Sequence, residues 1–477
     1  MARYFKFKTT DDLSAEAERL GVPLALQKDL SPLFEPVVIG RRRVGNRLAV
    51  QPMEGCDGTR EGHPDELTFR RYRRFGAGGA KLIWGEATAI SDEARMNPRQ
   101  LWIHDGTVDD LARMLDECRA AHRQACGTTD DLLVGLQLTH SGRWGYRRPL
   151  IATRDPLLDP ITKNKSTGKT IGADYPVLSD DELRRIEDQY VVAAKLAQKA
   201  GFDFIDLKQC HRYLLNELLA ATQRPGPYGG SLENRTRLVR NVIGRIRDEV
   251  PGLMLASRMN AYDGVPFRKG TDGHGEPIDS RESDIFSFGT NPIRPGEEVV
   301  DEPVQVARWL VDWGVSLLNI TAGNPYASPH FVRPAENPPI DGYDAPEHPL
   351  LGVARHFRLT RAIQEAVSVP VVGSGYSWLQ DFAFAAGAAN IASGAVGLVG
   401  YGRGTLSHPD FAISLRETGR LDRKRVCRTF SYCTNLMRTK DHPLGQYATG
   451  CPPFDKEAYG ELWKEAKAKV TKKKSPQ

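Results

Sequence analysis

Lys208 and His211 stand three residues apart in the stretch GFDFIDLKQCHRYLLNELLAATQRPGPYGGSLENRTR (201–237). They directly follow FDFIDL, an apolar and acidic alternation that reads as a short inner strand. An ammonium and an imidazole at a strand exit are placed for chemistry. As a compact point charge, Lys208 can stabilise an enolate-like oxygen or bind a carboxylate. If desolvated, the same amine can form a Schiff base with a carbonyl, the reaction of a lyase.

The elements that must hold these groups are regular. From about Arg47, short β-rich runs alternate with longer amphipathic helical runs, as parallel strands joined by crossover helices do. The strand-like runs are 47–53 (RLAVQPM), 81–86 (KLIWGE), 132–139 (LLVGLQLT), 202–207 (FDFIDL), 253–258 (LMLASR), 315–320 (VSLLNI), 369–372 (VPVV) and 395–399 (AVGLV). Eight such units favour an α/β fold of the closed TIM (β/α)8 type. Ser179 followed by Glu182 is a capping box, and Leu183, Ile186, Tyr190 and Ala193 recur at helical spacing until Gly201. In such a barrel the loops after the strands build the active site, with phosphate often held after strands seven and eight. Two long polar insertions, 142–176 and 263–302, follow predicted strands and are expected to serve as lids or substrate walls. The expected division is a barrel over 1–417 and a Cys-containing extension over 418–477, packed on the barrel, with its last residues disordered.

Composition narrows the function classes. The 477 residues are 40% apolar, enough for a large core. The 65 basic and 60 acidic residues leave a formal charge of +5, short of what a dedicated nucleic-acid binder carries. No segment approaches the ~18 uninterrupted apolar residues of a membrane span, and the amino terminus lacks a signal-peptide core. A cytoplasmic protein with a small-molecule substrate, no nucleic-acid or membrane partner and room for homo-oligomer formation is expected. Seven cysteines in a chain of this kind favour free thiols over a disulfide framework.

Seven stretches in order resemble the NADH:flavin oxidoreductases related to old yellow enzyme: NRLAVQPMEG (46–55), GAGGAKLIWGEATAI (76–90), QLTHSGRWG (137–145), DLKQCHRYLLNELL (206–219), YGGSLENRTR (228–237), LASRMN (255–260) and LVGYGR (398–403). The resemblance implies an eight-stranded βα barrel with FMN at the strand ends and NADH or NADPH as diffusible reductant. A flavin site needs an amide on the ring edge, a cation near N1 and a phosphate cradle. Gln137 and Arg258, ending the third and fifth predicted strands, are candidates for the first two. Pro52, Met53 and Ala87 resemble positions whose main chain lines the flavin. Gly373-Ser374-Gly375 and Gly402-Arg403, two Gly-rich turns leading into helices, form the expected cradle.

By the same resemblance, Lys208 and His211 fall where two polar side chains hold the carbonyl oxygen of an unsaturated substrate. Tyr213 falls where a tyrosine protonates the substrate carbon opposite the flavin hydride, a role suited to a phenol neutral at pH 7. The implied reaction is hydride transfer from flavin N5 to an activated C=C bond, as in ene reductases. Oxidative demethylation or dehydrogenation of an amine or ether is the alternative within the fold. Lys208 departs from the usual histidine, and Glu54 stands where Cys or Thr is common beside the Pro-Met pair, with Cys56 two residues on. Some relatives, such as 2,4-dienoyl-CoA reductase and trimethylamine dehydrogenase, carry four clustered cysteines for an iron-sulfur cluster. This chain offers Cys427, Cys433 and Cys451, with Phe430 where another would sit, so no cluster and no metal site is expected.

Overall fold

The computed structural model describes residues 3–439 and 442–474. A hairpin opens the regular structure: β1 (Val37–Ile39) pairs antiparallel with β2 (Arg42–Val44), Val37 opposite Val44. The barrel strands follow as β3 (Leu48–Val50), β4 (Leu82–Ala89), β5 (Leu133–Thr139), β6 (Phe204–Leu207) and β7 (Met254–Tyr262). A second hairpin, β8 (Phe267–Lys269) with β9 (Gly275–Pro277), interrupts them. Then come β10 (Leu317–Ala322), β11 (Val371–Gly373) and β12 (Leu398–Tyr401). The parallel strands close in the order β10-β11-β12-β3-β4-β5-β6-β7, the TIM barrel expected from the eight βα units.

Side chains from both kinds of strand fill the barrel's amino-terminal end. Leu82, Trp84, Leu133, Phe204, Leu317 and Leu398 form one buried cluster with Val37, Ile39 and Val44 of the hairpin, which plugs that mouth. Each such aliphatic or aromatic burial contributes roughly 1.5–3 kcal/mol. The larger core lies between barrel and helices. Helix Asp180–Lys199 begins at the expected box: Ser179 Oγ accepts from Glu182 N at 3.2 Å, and Glu182 Oε2 accepts from Ser179 N at 2.7 Å. Leu183, Ile186, Tyr190 and Ala193 are its buried face.

Two boundaries differ from expectation in ways that matter for the site. Strands β4 and β7 run on to Ala89 and Tyr262, past the predicted ends at Glu86 and Arg258, because register shifts at Trp84/Ala87 and at Thr321/Ala322 let the curling strands keep their partners. Arg258 therefore sits mid-strand. At the upper end of β12, Gly400 is obligatory, since a Cβ there would lie 2.0 Å from Gln51 Nε2 and 2.6 Å from Gly373 O.

Residues beyond 417 cover part of the barrel's upper rim through helices Tyr432–Arg438 and Lys456–Lys474. Arg70 reaches Asp455 with both terminal nitrogens, at 2.8 and 2.9 Å, and Thr449 N donates to Gly55 O at 2.6 Å. The expected disorder of the last residues concerns 475–477, which lie outside the described residues. Among the described residues, no helix is long and apolar enough to cross a membrane.

Candidate active site

One cavity at the carboxyl ends of the strands is lined by Lys208, His211 and Tyr213, by Pro52, Met53, Ala87, Gln137 and Arg258, and by Gly375, Gly402 and Arg403. It encloses about 1300 Å³, partly open to solvent.

Asp206, the acidic residue of the inner strand β6, organises the floor. Its carboxylate accepts from Trp84 Nε1 at 2.7 Å, Gln137 Nε2 at 2.5 Å and Arg258 N at 2.6 Å. Full burial raises its carboxyl from 3.8 to about 6 in spite of these donors. Because Gln137 spends its NH₂ on Asp206, its carbonyl oxygen is left as an acceptor for the cavity.

Lys208 follows β6 and is 5% exposed. Its Nζ lies 3.7 Å from the centre of the Tyr213 ring, and no carboxylate comes within 4 Å of it among the described residues. Burial lowers its pKa, opposed mainly by the nearby Cys210 and Glu54. Neighbouring His211 is held neutral by burial and by the cations Arg258 and Lys208, and its Nε2 is buried without a hydrogen-bond partner among the described residues. Tyr213 is kept a phenol by burial, by Tyr326 and by Glu54. Its hydroxyl is 2.9 Å from that of Tyr326, on which Trp144 packs at 4.6 Å.

The backbone that aims His211 is strained, with φ of +65° at His211 and +58° at Arg212. Arg212 anchors it. This buried guanidinium pairs with Asp155 and with Asp263 at 3.1 Å, and donates to Phe286 O at 2.7 Å. Those partners belong to the two long insertions. Neither insertion lines the cavity, contrary to the expected lids or walls. They buttress the turn from outside, while Pro325, Tyr326 and Arg333 of the loop after β10, and Cys433, Met437 and Arg438 of the extension, supply the walls.

The expected phosphate end also differs in detail. The Gly-rich turns lead into a short 3₁₀ segment, Tyr376–Phe382, and a four-residue helix, Gly404–Ser407, so helix dipoles contribute little. What remains is backbone at Gly375 (φ +95°) and the Arg403 side chain, whose Nη1 is buried without a hydrogen-bond partner among the described residues. Together with Arg258 Nε, unpartnered among the described residues, these donors fit an anionic, acceptor-rich group such as FMN.

Glu54 lines the cavity, and Asn97 Nδ2 donates to its Oε1 at 2.5 Å. Burial raises its carboxyl, which favours the neutral form. Cys56 is buried behind it, with Sγ 3.8 Å from Glu54 Oε1, and does not line the cavity. Asp206, Tyr326 and Arg333 are among the lining or supporting residues that sequence reasoning missed. Only Asp206 left a signal, as the acidic step on the inward face of FDFIDL.

Comparison with known proteins agrees with this geometry. The family model for the NADH:flavin oxidoreductase / NADH oxidase family matches residues 32–275. An NADPH dehydrogenase of Halalkalibacterium halodurans is 26% identical over 320 residues, covering 66% of this chain and 78% of that one. The fold resembles a 2-naphthoyl-CoA reductase (TM-score 0.64, 16% identity), covering 91% of this chain and 58% of that one. It also resembles the old yellow enzyme homologue from Zymomonas mobilis (TM-score 0.57, 23% identity; 83% and 96% covered). The chain belongs to the NADH:flavin oxidoreductase / NADH oxidase family, enzymes that work with FMN and take their electrons from NAD(P)H.

Proposed function

We propose that this protein reduces an activated C=C bond of a small organic substrate bearing a carbonyl or carboxylate oxygen. The observation that carries the reading is the Lys208 ammonium, aimed into the cavity without a carboxylate partner and set beside neutral His211 and the Tyr213 phenol. Bound FMN, held by Gln137, Arg258, Arg403 and the main chain at Pro52, Met53, Ala87, Gly375 and Gly402, supplies hydride chemistry.

This chain's residues do the rest. Lys208 and His211 hold the activating oxygen and stabilise the negative charge that builds on it as the double bond is reduced. Tyr213 gives its phenolic proton to the α carbon. Tyr326, hydrogen-bonded to it, steadies the phenolate left behind. The Tyr213 and Tyr326 rings give the substrate an apolar wall, with Trp144 packed behind Tyr326. Cys433, Thr434, Met437, Arg438 and Thr449 of the extension complete the site by lining the same cavity, so we treat 1–417 as the barrel and the extension as its structural partner.

Oxidation of an amine or ether has one observation in its favour, the Glu54 carboxyl in the same cavity. Lys208 repels a cation there, so reduction is preferred. Family membership likewise favours redox chemistry over a Schiff-base lyase. The test is product analysis: NADPH-driven turnover of unsaturated ketones and acids in D₂O gives saturated products with solvent deuterium on the α carbon. No solvent deuterium at the α carbon, or no saturated product from any of the panel, counts against the reading.

A further inference from the structure

We infer that Arg333 is a second arginine of the cofactor's phosphate site, acting with Arg403 as a two-sided clamp. The inference rests on the proposed phosphate end of the cavity and extends it. Arg333 lines the same cavity as Arg403, Ser374 and Gly375. The two arginines meet through the chain itself, since Arg403 Nη2 donates to the carbonyl of Pro334, the residue after Arg333, at 3.1 Å.

Neither guanidinium has a carboxylate within 4 Å among the described residues. Arg333 donates to Thr434 Oγ1, and Arg403 Nη1 is buried without a hydrogen-bond partner among the described residues. Arg438, the third arginine of this region, is different: it is satisfied by both oxygens of Asp341, at 2.9 and 3.0 Å. Burial, with repulsion from Arg403 and Arg438, makes the cationic form of Arg333 costly as the chain stands. Two guanidiniums without carboxylate partners on the lining of one cavity are costly as the chain stands, and an anion entering that cavity offsets the cost for both. A phosphate monoester supplies two charges and several acceptor oxygens, matching two guanidinium forks better than one.

The loop that carries Arg333 is built to keep it there. Three residues on, the buried Glu336 carboxylate accepts from the backbone N of Arg3, Tyr4 and Phe5, at 2.6, 2.9 and 3.1 Å, and from Trp378 Nε1 at 2.8 Å. The amino-terminal segment thus straps the loop after β10 against the segment that follows Gly375. A clamp fixed before the ligand arrives loses little entropy on binding.

The test compares FMN with riboflavin, which has the same ring and no phosphate. Apoprotein is titrated with each, following flavin fluorescence, for the unaltered chain, Arg333→Gln and Arg403→Gln. Arg333→Gln is expected to raise the Kd for FMN by about 10- to 100-fold, the scale of a lost charge-assisted bond, and that for riboflavin by less than about twofold. An equal effect on both ligands, or on neither, while Arg403→Gln discriminates, overturns the role of Arg333 alone. If neither variant discriminates, the phosphate end itself is misassigned and the inference falls with it. Should Arg333→Gln fail to fold, Arg333→Lys decides: an ammonium cannot reproduce the bidentate fork, so the preference for FMN over riboflavin must shrink, and an unchanged ratio overturns the inference.

Discussion

The Lys208 ammonium lies 3.7 Å from the centre of the Tyr213 ring, so the cation meant for the substrate's oxygen rests on the phenol meant for its carbon. A buried cation over an aromatic face is partly compensated without a counter-charge. Because burial still lowers the Lys208 pKa, its charge is lost as pH rises through a value below the usual 10.5. Reduction is expected to fall on that alkaline limb. In Lys208→Arg, which stays charged, the limb should move up in pH. In Lys208→Met, kcat/KM should drop by about 10²–10³ with flavin reduction by NAD(P)H unaffected. Steady-state pH profiles check both variants.

Tyr213 and Tyr326 should separate by magnitude. Tyr213→Phe removes the proton donor and is expected to slow substrate reduction by about 10²–10⁴. Tyr326→Phe removes only the hydrogen bond at 2.9 Å and should cost far less while changing the solvent isotope effect on the same step. Rapid mixing of the reduced enzyme with substrate in H₂O and D₂O distinguishes them.

Asp206 gives a pH dependence of stability with a definite sign. Its folded pKa, about 6, is above the ordinary 3.8, so the stability it contributes is full below pH 3.8 and is lost as pH rises through about 6. The shift of roughly two units corresponds to about 3 kcal/mol. Asp206→Asn, neutral at every pH but a poorer acceptor for three donors, should be less stable than the unaltered protein at pH 4. The gap should narrow by pH 7. Denaturant melts across that range measure it.

How legible this was depends on what each residue owed to local pattern. The barrel strands and the Ser179 cap were readable because period and capping are local properties. The candidate residues of the site fall in or just after the carboxyl halves of predicted strands, where position marks them, and all of them line the same cavity. The β1–β2 hairpin escaped because three-residue strands around Gly40-Arg41 carry almost no periodicity. Tyr326 and Arg333 escaped because they lie on an irregular loop whose path is set by distant contacts, such as Glu336 with the amino-terminal segment. The two insertions were misread for a related reason: their part in holding Arg212 depends on Asp155 and Asp263, far apart in sequence.

Behind Met53 and Glu54, Arg71 bridges two buried carboxylates, Asp57 and Glu86, and Glu86 Oε2 also accepts from Gly55 N at 2.8 Å. Arg71→Met would leave both carboxylates unpaired. It is expected to cost about 3–5 kcal/mol of stability, read from the shift of the denaturant midpoint.

The central claim is that the cavity accepts an unsaturated, oxygen-bearing substrate at Lys208 and His211. Its most direct measurement is anaerobic reoxidation of the NADPH-reduced holoenzyme by unsaturated ketones and acids, followed by the return of flavin absorbance. The account expects fast, saturable reoxidation by at least one of them, slowed by about 10²-fold or more in Lys208→Met. Failure of all of them to reoxidise an enzyme that dioxygen readily reoxidises, or equal rates in Lys208→Met, would contradict it.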